Sequence, residues 1–214
     1  APAHAGILFN LAWALRRLGD AAEAARLLRA LLDRQPGHAA AWFNLGNALS
    51  ESGRFDEAAS AFRQAAAAGW SPVESLAGLG LALLRGGDAD AARALAGDLA
   101  GRDPDHPASR GLALEVALAD GDEPRTLALA EAILRRTPND AGALLRRAQV
   151  ARKGADPATI RRELAAAAAP AVPAEVLAEW ADAARAAGLP EAAAAAELAA
   201  ERAPRSPPVL SVLG

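Results

Sequence analysis

Six glycines recur on one beat along this chain. Gly19, Gly53, Gly87 and Gly121 stand 34 residues apart, Gly154 follows after 33 and Gly188 after another 34. A period of that length marks a repeated supersecondary unit and argues against a single globular core. Prolines keep nearly the same beat at Pro36, Pro104, Pro138 and Pro204, with Pro72 and Pro170 slightly displaced. Between each Gly and the next Pro, and again between that Pro and the next Gly, lies an Ala-rich stretch. Ala supplies 63 of the 214 residues; it is the best helix former and buries little area per side chain. Gly ends the first helix, where a left-handed turn strains it least. Pro follows the second, because it cannot continue the hydrogen-bond ladder. The predicted unit is a helix–turn–helix of 34 residues, packed in thin layers. With only 4% aromatic residues the chain lacks the side chains that sheets favour.

The residues inside the unit repeat as well. Residues 39–72 place Trp42 at position 4, Leu45 and Gly46 at 7 and 8, and Leu49 at 11. Gly53 then falls at 15, Ala58 at 20, Phe62 at 24 and Ala65 at 27. Residues 5–38 match through Leu8, Leu11, Ala12, Leu15, Gly19, Ala24, Leu28, Leu31 and Pro36. Residues 73–106 match through Leu76, Leu79, Gly80, Leu83, Gly87, Ala92, Leu99 and Pro104. Small residues at positions 8 and 20 let paired helices approach, and larger ones at 4, 7, 11 and 24 fill the space between them.

This pattern resembles the tetratricopeptide repeat. Residues 107–140 follow it loosely, with Arg110 at the usually large apolar position 4. Residues 141–173 depart furthest, with Arg147 at apolar position 7 and one residue fewer. Residues 174–206 recover it through Leu177, Trp180, Ala181, Gly188, Ala193 and Ala200. The resemblance implies an all-α fold: a right-handed α-solenoid of about six repeats, a single array over residues 1–214. Residues 1–4 and 207–214 read as partial repeats, with Pro2 in the proline slot and Leu210, Leu213 and Gly214 at positions 4, 7 and 8. A stretch of a longer chain is therefore expected.

Composition and motifs bound the chemistry. A net charge of −3 gives no reason to expect nucleic-acid binding or attachment to anionic membrane. Zero Cys leaves no disulfide, thiolate metal site or cysteine nucleophile. It suits the cytoplasm, the expected compartment, and leaves the periplasm open. No apolar run reaches the length of a membrane span, so membrane insertion is not expected. His4, His38 and His106 all fall at position 34, the junction before a new first helix, and are read as turn residues rather than metal ligands. Gly78 and Gly80 make half a dinucleotide fingerprint, but no strand precedes them and the repeat explains Gly80 as a helix contact. Asp88/Asp90 and Asp103/Asp105 are read as turn and capping residues. No hydrolase, zincin, phosphate-loop or β-lactamase motif occurs. No catalytic, cofactor-binding or metal residue is expected in this segment, and it is not expected to be an enzyme.

The resemblance also implies a binding surface, because first-helix positions 2, 5, 6, 9, 12 and 13 face the concave side in the family. Carried over, they give Phe9, Asn10, Trp13, Arg16 and Arg17 in the first repeat and Phe43, Asn44, Asn47, Ser50 and Glu51 in the second. The third repeat gives Glu74, Leu81, Leu84 and Arg85. Asn side chains both donate and accept, so they can hold the backbone of an extended peptide without reading its sequence. Arg16, Arg17 and Arg85 suit acidic side chains or a terminal carboxylate. Seven of the eight aromatics lie in residues 1–70, which favours the same region for anchoring contacts. Equally, Phe9 and Trp13 can serve simply to pack the next helix.

The carboxylate clamp that holds chaperone C-termini is matched by Asn44 alone, and Phe9, Trp13, Glu74 and Gly78 do not fit it. An asparagine ladder like that of the O-linked N-acetylglucosamine transferases begins at Asn10 and Asn44 but stops at Gly78. Arg146, Arg152, Lys153, Arg161 and Arg162 read as a solvated basic face, or else as a seat for an acidic partner segment; nucleic acid ranks a poor third, since no aromatic residues are interleaved. The expected function is a scaffold that binds a protein or peptide, extended or acidic, in the groove; no cofactor is expected and self-association is left open. Two other readings are the substrate-recruiting arm of a longer glycosyltransferase, sulfotransferase or oxygenase, and a component of an envelope or secretion assembly.

Overall fold

The computed structural model describes residues 2–154 and 156–203, with side chains from Ala5 onward. Ala1, Pro204 and the C-terminal partial repeat with Leu210, Leu213 and Gly214 lie outside the described residues. Twelve α-helices and no strand occur among the described residues. They are α1 (Pro2–Arg17), α2 (Ala21–Leu32), α3 (Ala39–Glu51), α4 (Phe55–Ala67), α5 (Pro72–Gly86) and α6 (Ala89–Arg102). These are followed by α7 (Pro107–Ala119), α8 (Glu123–Leu134), α9 (Ala141–Ala151), α10 (Pro157–Ala167), α11 (Ala174–Ala186) and α12 (Ala192–Arg202). Odd-numbered helices are the A members of successive helix–turn–helix units and even-numbered ones the B members.

The turns follow from their residues. Gly19, Gly53, Gly87, Gly121 and Gly188 all take left-handed φ between +67° and +96°, the conformation that ends an A helix and reverses the chain. Gly154, in the unit one residue short, does not. Five aspartates cap B or A helices by accepting from an amide of the first turn: Asp20 from Glu23, Asp88 from Ala91, Asp122 from Arg125, Asp140 from Ala143, and Asp156 from Ala158 and Thr159. Asp90, read as a turn residue, lies in the first turn of α6 and pairs with Arg93 at 2.5 Å. Several prolines open helices rather than close them. Pro72, Pro124 and Pro157 occupy first-turn positions, where a missing N–H costs no hydrogen bond. Pro2 likewise opens α1, so His4 lies inside that helix and not at a junction.

The chain divides into two compact units, residues 1–116 and 117–214. In the first, α1 packs on α2, α2 on α3, α3 on α4, α4 on α5 and α5 on α6. The small positions do what their size allows: Ala24, Ala58 and Ala92 are fully buried, and Leu28, Leu31 and Leu49 fill the layers beside them. Three A helices of this unit are also tied to the turn before them. Trp42 Nε1 donates to the Pro36 carbonyl at 2.8 Å, and Ser75 Oγ donates to the Trp70 carbonyl at 2.6 Å. Arg110, the charged residue at position 4 of its repeat, donates through Nη2 to the Asp105 carbonyl. A guanidinium thus replaces the indole donor, which explains how the looser repeat tolerates it.

In the second unit α8 packs on α9, α9 on α11, α10 on α11 and α11 on α12. Its core gathers around Trp180, Leu177 and Val176, each at most 1% exposed. Arg202, at the end of α12, donates to the carbonyls of Ala168 and Ala169 just past the end of α10. Among the described residues no helix is long and apolar enough to cross a membrane.

Candidate functional site: the A-helix face of the first unit

Phe9, Asn10, Trp13, Arg16 and Arg17 lie on α1, Phe43, Asn44 and Asn47 on α3, and Arg85 on α5. All belong to the first unit, where α1 contacts α3 and α3 contacts α5. Repeat register puts Trp13, Asn47 and Leu81 at the same position of successive A helices. Trp13 is 48% exposed, so a large part of its surface is not taken up by packing within the fold. Asn47 and Leu81 are half-buried. An apolar ring, an amide and an alkyl side chain therefore run in a row across the three helices.

Neighbouring residues are partly engaged within the fold. Phe9 stacks on the His38 ring, with centroids 5.4 Å apart and planes inclined by 25°. His38 is itself a cap: its Nδ1 accepts from the Ala41 amide at 3.2 Å. His106 repeats that role, accepting from the Ala108 amide at 3.1 Å, while its Nε2 lies 3.6 Å from a Glu74 carboxylate oxygen. Both therefore act as junction residues, and no group of three or more His, Asp or Glu among the described residues is placed to hold a metal ion. Phe43 meets the buried Phe62 ring edge-on, 5.6 Å between centroids. Asn44 turns one amide hydrogen back to the Ala40 carbonyl at 2.9 Å, which fixes the side chain and leaves its oxygen as an acceptor.

Charge on this face is less basic than the arginines alone suggest. Arg16 reaches across to α3 and pairs with Glu51 at 2.5 Å, so its charge is already matched. Its Nε is buried without a hydrogen-bond acceptor. Arg17 lies over the Trp13 ring, its guanidinium carbon 5.2 Å from the centroid. Arg85 is exposed. Gly78, where the asparagine row stops, has a physical reason to lack a side chain: a Cβ there would stand 2.7 Å from the Phe62 ring.

The basic residues of the second unit do not form one free patch. Arg152 lies 3.5 Å from Asp182 and 3.8 Å from Glu179, Lys153 lies 3.2 Å from Glu123, and Arg161 lies 2.9 Å from Glu191. Arg162 is 3.4 Å from Glu163, and Arg146 donates to Gln149 at 3.0 Å. Arg147 pairs with Glu163 across α9 and α10 at 2.5 Å. Glu163 is the one acidic residue of α10, and a counter-charge is what an Arg at an apolar repeat position demands.

Comparison with known proteins agrees with this geometry. Among solved structures, a tetratricopeptide repeat protein from Parabacteroides merdae superposes with a TM-score of 0.77 at 15% identity, covering 98% of this chain and 82% of that one. PilW, a type IV pilus biogenesis factor, gives 0.70 at 20% identity with 98% of both chains covered. A thermophilic tetratricopeptide repeat protein of Thermus thermophilus gives 0.65 at 23% identity, over 82% of this chain and 98% of that one. Identities this low establish the fold alone. The sequence matches no curated protein. It does match the tetratricopeptide repeat family over residues 9–72 and 77–141, more than half its length. With paired helices, small residues at the contact positions and glycine turns all in register, the chain is a member of the tetratricopeptide repeat family.

Proposed function

We propose that residues 1–116 hold an extended segment of a partner protein along the α1–α3–α5 face, and that the chain acts as a non-catalytic scaffold. Tetratricopeptide repeat folds generally mediate protein–protein interaction, and this reading supplies the surface. The observation that carries it is Trp13: a large aromatic 48% exposed, beside half-buried Asn47 and the unused acceptor of Asn44. Aromatic side chains in such settings anchor partner segments, while the amides hold main chain. An extended segment suits this face better than a strongly acidic one, because Glu51 already neutralises Arg16 and leaves Arg17 and Arg85 as the flanking cations. The expected compartment is the cytoplasm, with the periplasm as the alternative that cell fractionation distinguishes.

A photo-reactive residue tests the surface directly. Benzoylphenylalanine replacing Trp13, with a second chain carrying it at exposed Gln64 on α4 as a control, is cross-linked in cells of the source organism. The expected result is a discrete protein adduct from position 13 that is absent from position 64. It should disappear when Asn44 and Asn47 are both Ala in a chain whose helical circular dichroism is unchanged. Equal adducts from both positions, or adducts insensitive to the double substitution, would overturn the assignment.

A further inference from the structure

Clefts occur at equivalent places in both units, each where two successive B helices straddle an A helix. One of about 390 Å³ lies over α3 between α2 and α4, and one of about 400 Å³ over α11 between α10 and α12. Both have apolar floors, made of Trp42, Leu45 and Leu49 in the first and of Leu177 with Leu164 and Leu198 in the second. Each is bridged at its rim by one ion pair, Arg29–Glu57 at 2.6 Å and Arg161–Glu191 at 2.9 Å.

A third cleft, lined by α8, α9, α10 and α11, breaks that pattern. It measures about 530 Å³, within the range of small-ligand and side-chain pockets. Arg147 stands in its lining at the register position occupied by Leu45 in the α3 cleft. Leu127, Val150 and Trp180 supply an apolar wall. Every cation in the lining already has a carboxylate: Arg147 and Arg162 share Glu163, and Lys153 pairs with Glu123. Glu131 is different. It lines the same cleft, is exposed, and forms no ion pair within 4 Å among the described residues. One further group is unsatisfied, the buried Nε of Arg147, which lacks an acceptor.

We infer that this cleft is a binding site for a basic side chain, Arg or Lys, of a partner polypeptide. The guanidinium or ammonium pairs with Glu131, and the alkyl stem covers Leu127 and Val150. An anionic ligand is disfavoured because it would have to displace Glu163 or Glu123 from cations they already neutralise. The site is independent of the α1–α3–α5 face and stands or falls apart from it.

The probes are acetyl-Ala-Arg-Ala-amide and the same peptide with citrulline, which keeps the shape and loses the charge. Each is titrated into the full chain, with 1H–15N spectra reporting on the Trp180 indole and the amides of α8 and α9. The expected result is saturable shifts confined to those groups for the Arg peptide, and binding about tenfold weaker for citrulline, as the loss of one charge-assisted contact implies. Glu131→Gln, an exposed change that leaves the fold intact, should weaken the Arg peptide to the same degree. Asp56→Asn, at the exposed carboxylate lining the α3 cleft, should have no effect. No saturable binding of the Arg peptide, equal binding of citrulline, or indifference to Glu131→Gln would each overturn the assignment.

Discussion

Phe62 sets the approach of two A helices at once. Its ring is 2% exposed and lies against Gly46 of α3 and Gly78 of α5, where an added Cβ would stand 2.8 Å and 2.7 Å from ring carbons. No side-chain carbon is tolerated at such a distance without movement of a ring that is held on both sides. Gly46→Ala and Gly78→Ala are therefore each expected to lower unfolding free energy by about 1–3 kcal/mol, the usual range for overpacking. Phe62→Leu should recover part of that loss in combination with either. Gly97, on the exposed side of α6 with open space around it, is the counter-case. Gly97→Ala should stabilise by about 0.5–1 kcal/mol through helix propensity alone. Urea unfolding of the variants measures all of these. The sequence made Gly46 legible, because repeat position 8 calls for a small residue. It did not make Gly78 legible, because its repeat position points in the family to the binding face, and only the ring of Phe62 reveals why a side chain is missing there.

At the scale of the element, α9 and α10 show what one missing residue does. Gly154 does not take the left-handed turn of its counterparts, and the helix that follows depends on its cap. Asp156 accepts from the Thr159 side chain and from the amides of Thr159 and Ala158, and these hydrogen bonds hold its carboxyl below the ordinary aspartate range. A depressed folded value means that the carboxylate's contribution is fully present above the ordinary aspartate pKa and is lost as pH falls through the lower, folded one. Hydrogen exchange at the amides of Ala158 and Thr159 should therefore be slow and insensitive to this group at neutral pH. Once the intrinsic pH dependence of exchange is removed, protection should fall only at pH below about 4. Asp156→Asn keeps a capping oxygen and removes the titration, so it should abolish the acid-side loss while preserving protection at neutral pH. Unchanged acid sensitivity in that variant would assign the effect to another carboxylate. Asp88 was readable in advance as a cap before an Ala-rich run, whereas Asp103, read in the same way, stands at the end of α6. The Arg147–Glu163 pair was half-readable: the misfit at position 7 is plain, but its partner on the next helix depends on how closely α9 and α10 lie.

For the molecule as a whole, the same register position carries different weight according to what covers it. In the second and third repeats the residues at repeat positions 3, 7 and 10 are Ala41, Leu45 and Ala48, then Ser75, Leu79 and Ala82, all buried. Their counterparts on α1 are Ile7, Leu11 and Ala14, and Ile7 and Leu11 are 62% and 47% exposed. The period predicts identical roles for these residues; burial separates them. In an array whose stability is a sum of repeat and neighbour terms, a side chain counts in full only when both neighbours are in place. Leu45→Ala should cost about 2–5 kcal/mol, the range for a fully packed leucine. Leu11→Ala should cost about 1 kcal/mol or less, because roughly half of its surface already faces water. Introducing charge sharpens the contrast. Leu45→Glu should unfold the first unit, whereas Leu11→Glu should leave its circular dichroism intact, because a carboxylate at a half-exposed site keeps its hydration. Thermal unfolding of the four variants of the 214-residue chain decides the matter. A loss at Leu11 as large as that at Leu45 would mean that this face of α1 is covered in solution, and the polypeptide covering it would then be part of the folded assembly.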